Sequence, residues 1–308
     1  MLSIIICSRK PTADLLLTNN IKATIGVEYE LVFVDNSKNR LSIFSAYNEG
    51  IKQSKFPYLC FIHDDVNFLT NNWGKKIIAH LSENKIGLAG LAGGDAMLKI
   101  PFDYGALNRS MNIIHVDKTG NTPKEIVRMP KDFHEKSRPV VLLDGVLLCS
   151  KRSLFDEIKF DETIGLFHGY DLDISMQSYM KGYTNLVMYD ISVQHFSKGK
   201  MDTEYFRTIK RVYEKWKGVL PVFERKIPVK EIQKSIVKLE EHTAKRLLKW
   251  LVRSRMPSAE IAEYFLFFIK NTSLEMNIFL IHFIRVRILF MRILSTLRNK
   301  NIKKHETI

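Results

Sequence analysis

Apolar runs alternate with amphipathic stretches along the chain as far as about Lys200. Ser3–Cys7 reads as a buried strand, and Thr12–Thr24 follows with helical spacing, offering Leu15, Leu16 and Ile21 to a core. Glu30–Val34 is a second strand, stopping at Asp35-Asn36-Ser37, and Leu41–Ser54 a second helix. Tyr58–Ile62 is uninterruptedly apolar and ends at His63-Asp64-Asp65. Trp73–Leu81 is a third helix and Ile86–Leu91 a fourth strand, rich in Gly and Ala. Strands alternating with helices at this spacing predict an α/β fold with a mostly parallel sheet and right-handed crossovers.

Regularity drops from Gly93 to Arg138, where Gly and Pro recur and only Met111–Val116 is strand-like. A loop region of that length is either a functional lid or acceptor surface, or a surface insertion. Val140–Ser150 is an apolar strand interrupted by Asp144-Gly145, and a charge inside such a run is costly unless it faces a site. Asp171 and Asp173 precede a helix over Ile174–Lys181, which Gly182 stops. Asn185–Tyr189 is a further strand, and Val193–Phe196 leads into the basic turn Ser197–Lys200.

Beyond Gly218 the character changes, so the chain divides into 1–219 and a helical region, 220–308. Pro221–Met256 is Lys-rich, Pro257-Ser258 breaks it, and the stretch from Ile261 is very apolar yet interrupted by Lys270, Arg285, Arg287 and Arg292. These charges argue against a spanning helix. A basic, aromatic-rich helix in the membrane interface is one outcome, and helix packing in a homo-oligomer another. The net charge of +14 invites a polyanionic partner, but residues 224–308 hold 18 Lys and Arg against 8 Asp and Glu. Most of the surplus therefore belongs to the tail. Its apolar content favours lipid or self-association over nucleic acid. Cys7, Cys60 and Cys149 lie in apolar runs without metal-ligand spacing, which suggests packing roles in a reducing compartment. The N-terminal apolar stretch is too short for a signal peptide and reads as a strand, so a cytoplasmic protein is expected, at the inner face of the membrane.

In an open α/β sheet, ligands bind beyond the carboxyl ends of the strands. Asp64 and Asp65 leave the third strand there, and adjacent acids repel unless a cation compensates them. The ordered set SIIICSR, VFVDNS, AYNEGI, FIHDDV, LFHGYDLDIS and VQHFS resembles the inverting GT-A glycosyltransferases of family 2, in a bacterial branch whose metal motif reads HDD. The resemblance covers Met1 to about Lys200. It implies a GT-A, Rossmann-like fold and transfer of a sugar from a uridine or thymidine diphosphate to a hydroxyl. A glycan or lipid-linked acceptor in surface polysaccharide or lipopolysaccharide synthesis is implied with it.

By that resemblance Asp65 is a ligand of Mn²⁺ or Mg²⁺, and His195 completes the metal shell or touches the diphosphate. Asp64 contacts the ribose or a metal-bound water, and Asp35 the base or ribose. Ser8 and Arg9 form the first donor loop, with Arg9 free to pair with a phosphate. Asn48 steadies the nucleotide loop, while Gly50 lets its helix approach the sheet. Asp144 lies beneath the donor sugar or acceptor, and Lys198 and Lys200 close over the diphosphate. Asp171 is the base that takes the acceptor proton. Two positions depart from the family pattern: His63 stands in place of an acid and Tyr170 in place of a Glu. Rival folds fail on particular residues. The turn CSRKPTAD lacks the glycines of a dinucleotide fingerprint and the Gly-rich loop of a nucleotidyltransferase, which leaves a non-catalytic basic adaptor as the alternative.

Overall fold

The computed structural model describes residues 1–102, 108–116, 124–128, 135–196 and 201–271. In chain order the elements begin β1 (Leu2–Ser8), α1 (Leu15–Thr24), β2 (Tyr29–Asp35), α2 (Ile43–Gln53), β3 (Tyr58–Ile62), β4 (Val66–Phe68), α3 (Trp73–Ser82) and β5 (Ile86–Gly90). There follow β6 (Ala92–Gly94), β7 (Ala96–Met97), β8 (Arg109–His115), β9 (Lys124–Arg128), β10 (Ser137–Val140), β11 (Leu142–Leu143) and β12 (Leu147–Lys151). The chain continues with α4 (Tyr170–Met180), β13 (Thr184–Met188), β14 (Val193–His195), α5 (Thr203–Trp216), β15 (Val222–Phe223), α6 (Val229–Arg253) and α7 (Ser258–Asn271).

The main sheet has the order β10-β13-β5-β12-β3-β1-β2. β1, β2 and β3 are parallel to one another, as are β5 and β13, while β12 and the edge strand β10 run antiparallel to their neighbours. β12 is reversed because the chain enters it from Asp144-Gly145, at the carboxyl ends of its neighbours. Leu147 opposite Ile62 fixes that register. Both faces of the sheet are covered, so its strands are continuous apolar runs, and Ile4, Ile5, Leu59, Phe61 and Leu148 have no exposed surface. Gly50 does let α2 approach: a Cβ there would stand 2.4 Å from Ile5 Cγ2. Asp14 and Ser42 cap α1 and α2 through Leu16 N–H and Ser45 N–H, each cap contributing about 0.5–2 kcal/mol.

Several expectations are corrected here. Leu15 and Leu16 are 76% and 82% exposed, and α1 buries Leu17 and Ile21 instead. The irregular stretch from Gly93 contributes β8, β9 and most of β6 to a second sheet, β11-β6-β8-β14-β4 with β9 on β8. Val140–Ser150 is three strands shared between two sheets, not one. The helix expected from Ile174 starts at Tyr170, so Asp171 and Asp173 lie in its first turn. Residues 222–223 form a strand on β7 before α6 begins. Cys60 and Cys149 are buried free thiols facing each other across β3 and β12, whereas Cys7 is only partly covered. Beyond β15 the chain packs back on its N-terminal part: Leu247, Leu248, Leu251, Ile261 and Tyr264 share a buried cluster with Ile100, Phe102 and Phe206. Lys198, Lys200, Arg285, Arg287 and Arg292 lie outside the described residues.

Candidate active site

The second sheet assembles the site. β14 pairs antiparallel with β4, putting His195 opposite Val66, and parallel with β8, putting it opposite His115. Phe196 N–H donates to Asp65 O at 3.0 Å, and His63 N–H to Val146 O at 3.2 Å. The ends of β3, β4, β12 and β14 are thereby held together over a cavity of 330 Å³. His63, His115, Asp144, Gly145, Tyr170, Asp171 and His195 line it, together with Phe167, His168 and Tyr205.

His63, Asp65 and His195 form a compact group, each offering one ligand atom within 4.8 Å of the others. His195 Nε2 lies 3.2 Å from Asp65 Oδ1 and 3.3 Å from His63 Nδ1, and the remaining side measures 3.9 Å. Two ligands of one cation, each about 2.0–2.2 Å from it, stand roughly 3–4 Å apart, so these spacings suit a shared ion. Asp65 would be raised by its burial, yet the hydrogen bond and charge of His195, with His63, hold it below the usual carboxylate range. His63 keeps 35% of its side chain open, but buried surroundings and then His195 depress its pKa and favour the neutral imidazole that ligation needs. Nδ1 of His195 is buried without a hydrogen-bond partner among the described residues. The donor set fits a divalent cation.

The expected pair Asp65 and His195 is thus joined by His63, a ligand position that the motif left unassigned. The turn that links β3 to β4 brings the side chains of both His63 and Asp65 towards His195, a proximity that the sequence does not display. Asp64 turns the other way and accepts a hydrogen bond from Ser8 Oγ. Ser8 itself is buried, its hydroxyl also accepting from Lys10 N–H at 3.0 Å, so it shapes the loop and holds Asp64. Arg9 is exposed, with its guanidinium 4.5 Å from the ring centre of Phe167 at the cavity wall. Asp35, beside Ser8 at the end of β2, is exposed and held low by hydrogen bonds from Ser37, the backbone N–H of which lies 2.8 Å away. The structure does not bring Asn48 to the cavity. Its amide donates to Phe160 O and Glu162 Oε1 at 2.9 and 2.8 Å, clasping the segment that leads to α4.

Asp171 reaches the cavity from the first turn of α4, which Gly169 enters with φ +76°. Its carboxylate accepts from Gly145 N–H at 3.1 Å and Leu172 N–H at 2.9 Å. Those bonds and the helix terminus favour the ionised form. Burial and then the neighbouring charge of Asp144 oppose them and win, raising the pKa to about 7. Asp173 is structural. It accepts from Lys215 Nζ, Gln177 Nε2 and Trp216 Nε1 at 2.9, 2.7 and 2.9 Å, locking α4 to α5. Removing Lys215 would leave an uncompensated buried charge, at a cost of about 3–5 kcal/mol.

Residues 4–216 match the glycosyltransferase-like family. The chain belongs to that family. The match spans His63, Asp65, His195 and Asp171. No curated protein matches the chain. Among solved structures it is similar to GalNAc-T7 crystallised with UDP, GalNAc and Mn²⁺, at 14% identity and a TM-score of 0.49. That likeness covers 69% of this chain and 47% of the other, so this glycosyltransferase spans about half the length of that relative. It is also similar to A197 from STIV, at 14% identity and a TM-score of 0.38, covering 64% of this chain and 86% of that one.

Proposed function

We propose that this glycosyltransferase is an inverting enzyme that moves a sugar from a uridine or thymidine diphosphate to a hydroxyl of a glycan or lipid-linked acceptor. One observation carries the reading: the two imidazoles of a His-Asp-His group and a carboxylate poised near neutrality face the same cavity. A divalent cation held by His63, Asp65 and His195 would supply Lewis-acid stabilisation to the departing diphosphate. Two imidazole nitrogens suit Mn²⁺ better than Mg²⁺, which favours an all-oxygen shell. Asp171 accepts the proton of the acceptor hydroxyl as that oxygen bonds to the anomeric carbon and the bond to the diphosphate breaks. A base with a pKa near the working pH combines enough ionised form with enough basicity. Asp35 supports a uracil or thymine base, because an ionised carboxylate can accept its N–H.

The outward face of α6 supports a surface-glycan acceptor at the inner membrane face. Lys230, Lys234, Lys238, Lys245 and Lys249 are exposed on one stripe, opposite the buried Leu247 and Leu251. Glu231 and Glu241 share the stripe, and Glu241 pairs with Lys245 at 2.6 Å, yet a cationic surplus remains that suits anionic lipid, at about 1 kcal/mol per unpaired residue. Among the described residues no helix is long and apolar enough to cross a membrane. Melting the protein with uridine- and thymidine-diphosphate sugars, with Mn²⁺, Mg²⁺ or chelator, tests the donor reading. A shift needing both Mn²⁺ and nucleotide is expected, and its absence for every donor would overturn the proposal. Charge-neutralising the five lysines should release the protein from anionic vesicles; unchanged binding would refute the membrane contact.

A further inference from the structure

Tyr170 is buried, and its hydroxyl lies 3.1 Å from Gly145 O and 2.9 Å from His63 Nε2. Gly145 O can only accept, whereas the other neighbours of the phenol, the Tyr47 hydroxyl and His63 Nε2, can donate, so the arrangement that satisfies all three puts the phenol hydrogen on the line to Gly145 O. The phenol oxygen must then accept from His63, which places the imidazole proton on Nε2. In the neutral ring the lone pair falls on Nδ1, the atom that stands 3.3 Å from His195 Nε2 and 3.9 Å from Asp65 Oδ1. The geometry points to Tyr170 as the positioning residue of the metal centre, fixing the tautomer and ring orientation of His63 so that Nδ1 presents its lone pair to the ion.

The surroundings are built for this contact. A Cβ on Gly145 would stand 2.0 Å from the Tyr170 hydroxyl, so only glycine leaves room for the phenol. The ring is clamped edge-on by Phe44 and Tyr47, with centroids at 6.2 and 5.5 Å. His63 and Tyr170 touch directly. A histidine ligand is oriented best by an acceptor at its far nitrogen, and a neutral phenol supplies one without adding charge beside Asp144 and Asp171.

The inference rests on the metal reading of the site, so its test has two readouts. In metal-free protein, ¹⁵N spectra should show His63 as the Nε2–H tautomer, lost or mixed in Tyr170→Phe. A wild-type Nδ1–H tautomer would overturn the inference whether or not the variant folds. Mn²⁺ titration followed by electron paramagnetic resonance should show binding weakened by about 10–100-fold in Tyr170→Phe. The same loss should show as a raised Mn²⁺ requirement for transfer. In a His63→Ala background the same substitution should change Mn²⁺ affinity no further. Affinity within twofold of wild type, or an equal loss without His63, would refute the role. Wild-type protein that binds no Mn²⁺ would refute the metal reading, and the tautomer would still decide Tyr170.

Discussion

Asp65 and Asp171 are both carboxylates partly withdrawn from water beside one cavity, and burial alone would raise the pKa of each. They differ in company. Asp65 meets two imidazoles, and His195 and His63 bring it below the ordinary range. Asp171 meets another carboxylate, Asp144, which adds to burial and carries it up to about 7. One acid stays ionised and suits a ligand, while the other can gain and lose a proton and suits a base. Burial pushes both upward, most of all Asp171, and the unlike neighbours then set the two apart.

The comparison can be broken at several points. The largest effect is expected from Asp65→Ala, which should abolish any Mn²⁺-dependent rise in melting temperature. A surviving shift would show that the ion sits elsewhere. Asp171→Asn should slow transfer by roughly 10²–10⁴-fold while donor and Mn²⁺ still bind, as calorimetry with single-turnover kinetics would reveal. In the wild type, transfer should fall ~tenfold per pH unit below about 7, where the base is protonated. Asp144→Asn should move that acid limb to lower pH, because a charge opposing ionisation of Asp171 is gone. An unmoved limb would assign it to another group.

The smallest effect concerns stability. The folded pKa of Asp171 lies above its unfolded value, so unfolding releases a proton between the two. Stability from this group is therefore lost as pH rises from about 4 towards 7. Asp171→Asn should melt a few degrees above wild type at pH 8 and converge with it near pH 4. Equal melting at both values would mean that the carboxyl titrates normally.

The long apolar strands were legible because each carries its own signal: β1, β2, β3 and β5 lie where alternation and turn residues put them. The second sheet was not. Its strands are short, β6 is Ala92-Gly93-Gly94, and their pairing depends on partners far along the chain, such as Val193 beside Ile113. Leu15-Leu16-Leu17 covers more than one helix face. Only packing showed that Leu17, one turn before Ile21, sets the buried side. In the site, motifs named Asp65, His195 and Asp171, and the structure gathers all three around the cavity. They could not place Asn48, whose amide holds a segment far along the chain, nor assign His63, whose meaning depends on His195 and Tyr170.

Gly145 serves two masters with one residue: its carbonyl receives the Tyr170 hydroxyl and its N–H holds the Asp171 carboxylate. In the proposed mechanism the metal-side anchor and the proton acceptor are therefore referenced to a single point of backbone. Redesign of the enzyme for a new sugar or acceptor has little freedom at this wall, because any shift of Gly145 misaligns both halves of the reaction together. Variation should be better tolerated at Met111, Phe167 and Tyr205, which border the same space without sharing that residue's hydrogen bonds. Libraries built there can change what the cavity admits while leaving the reacting geometry in register.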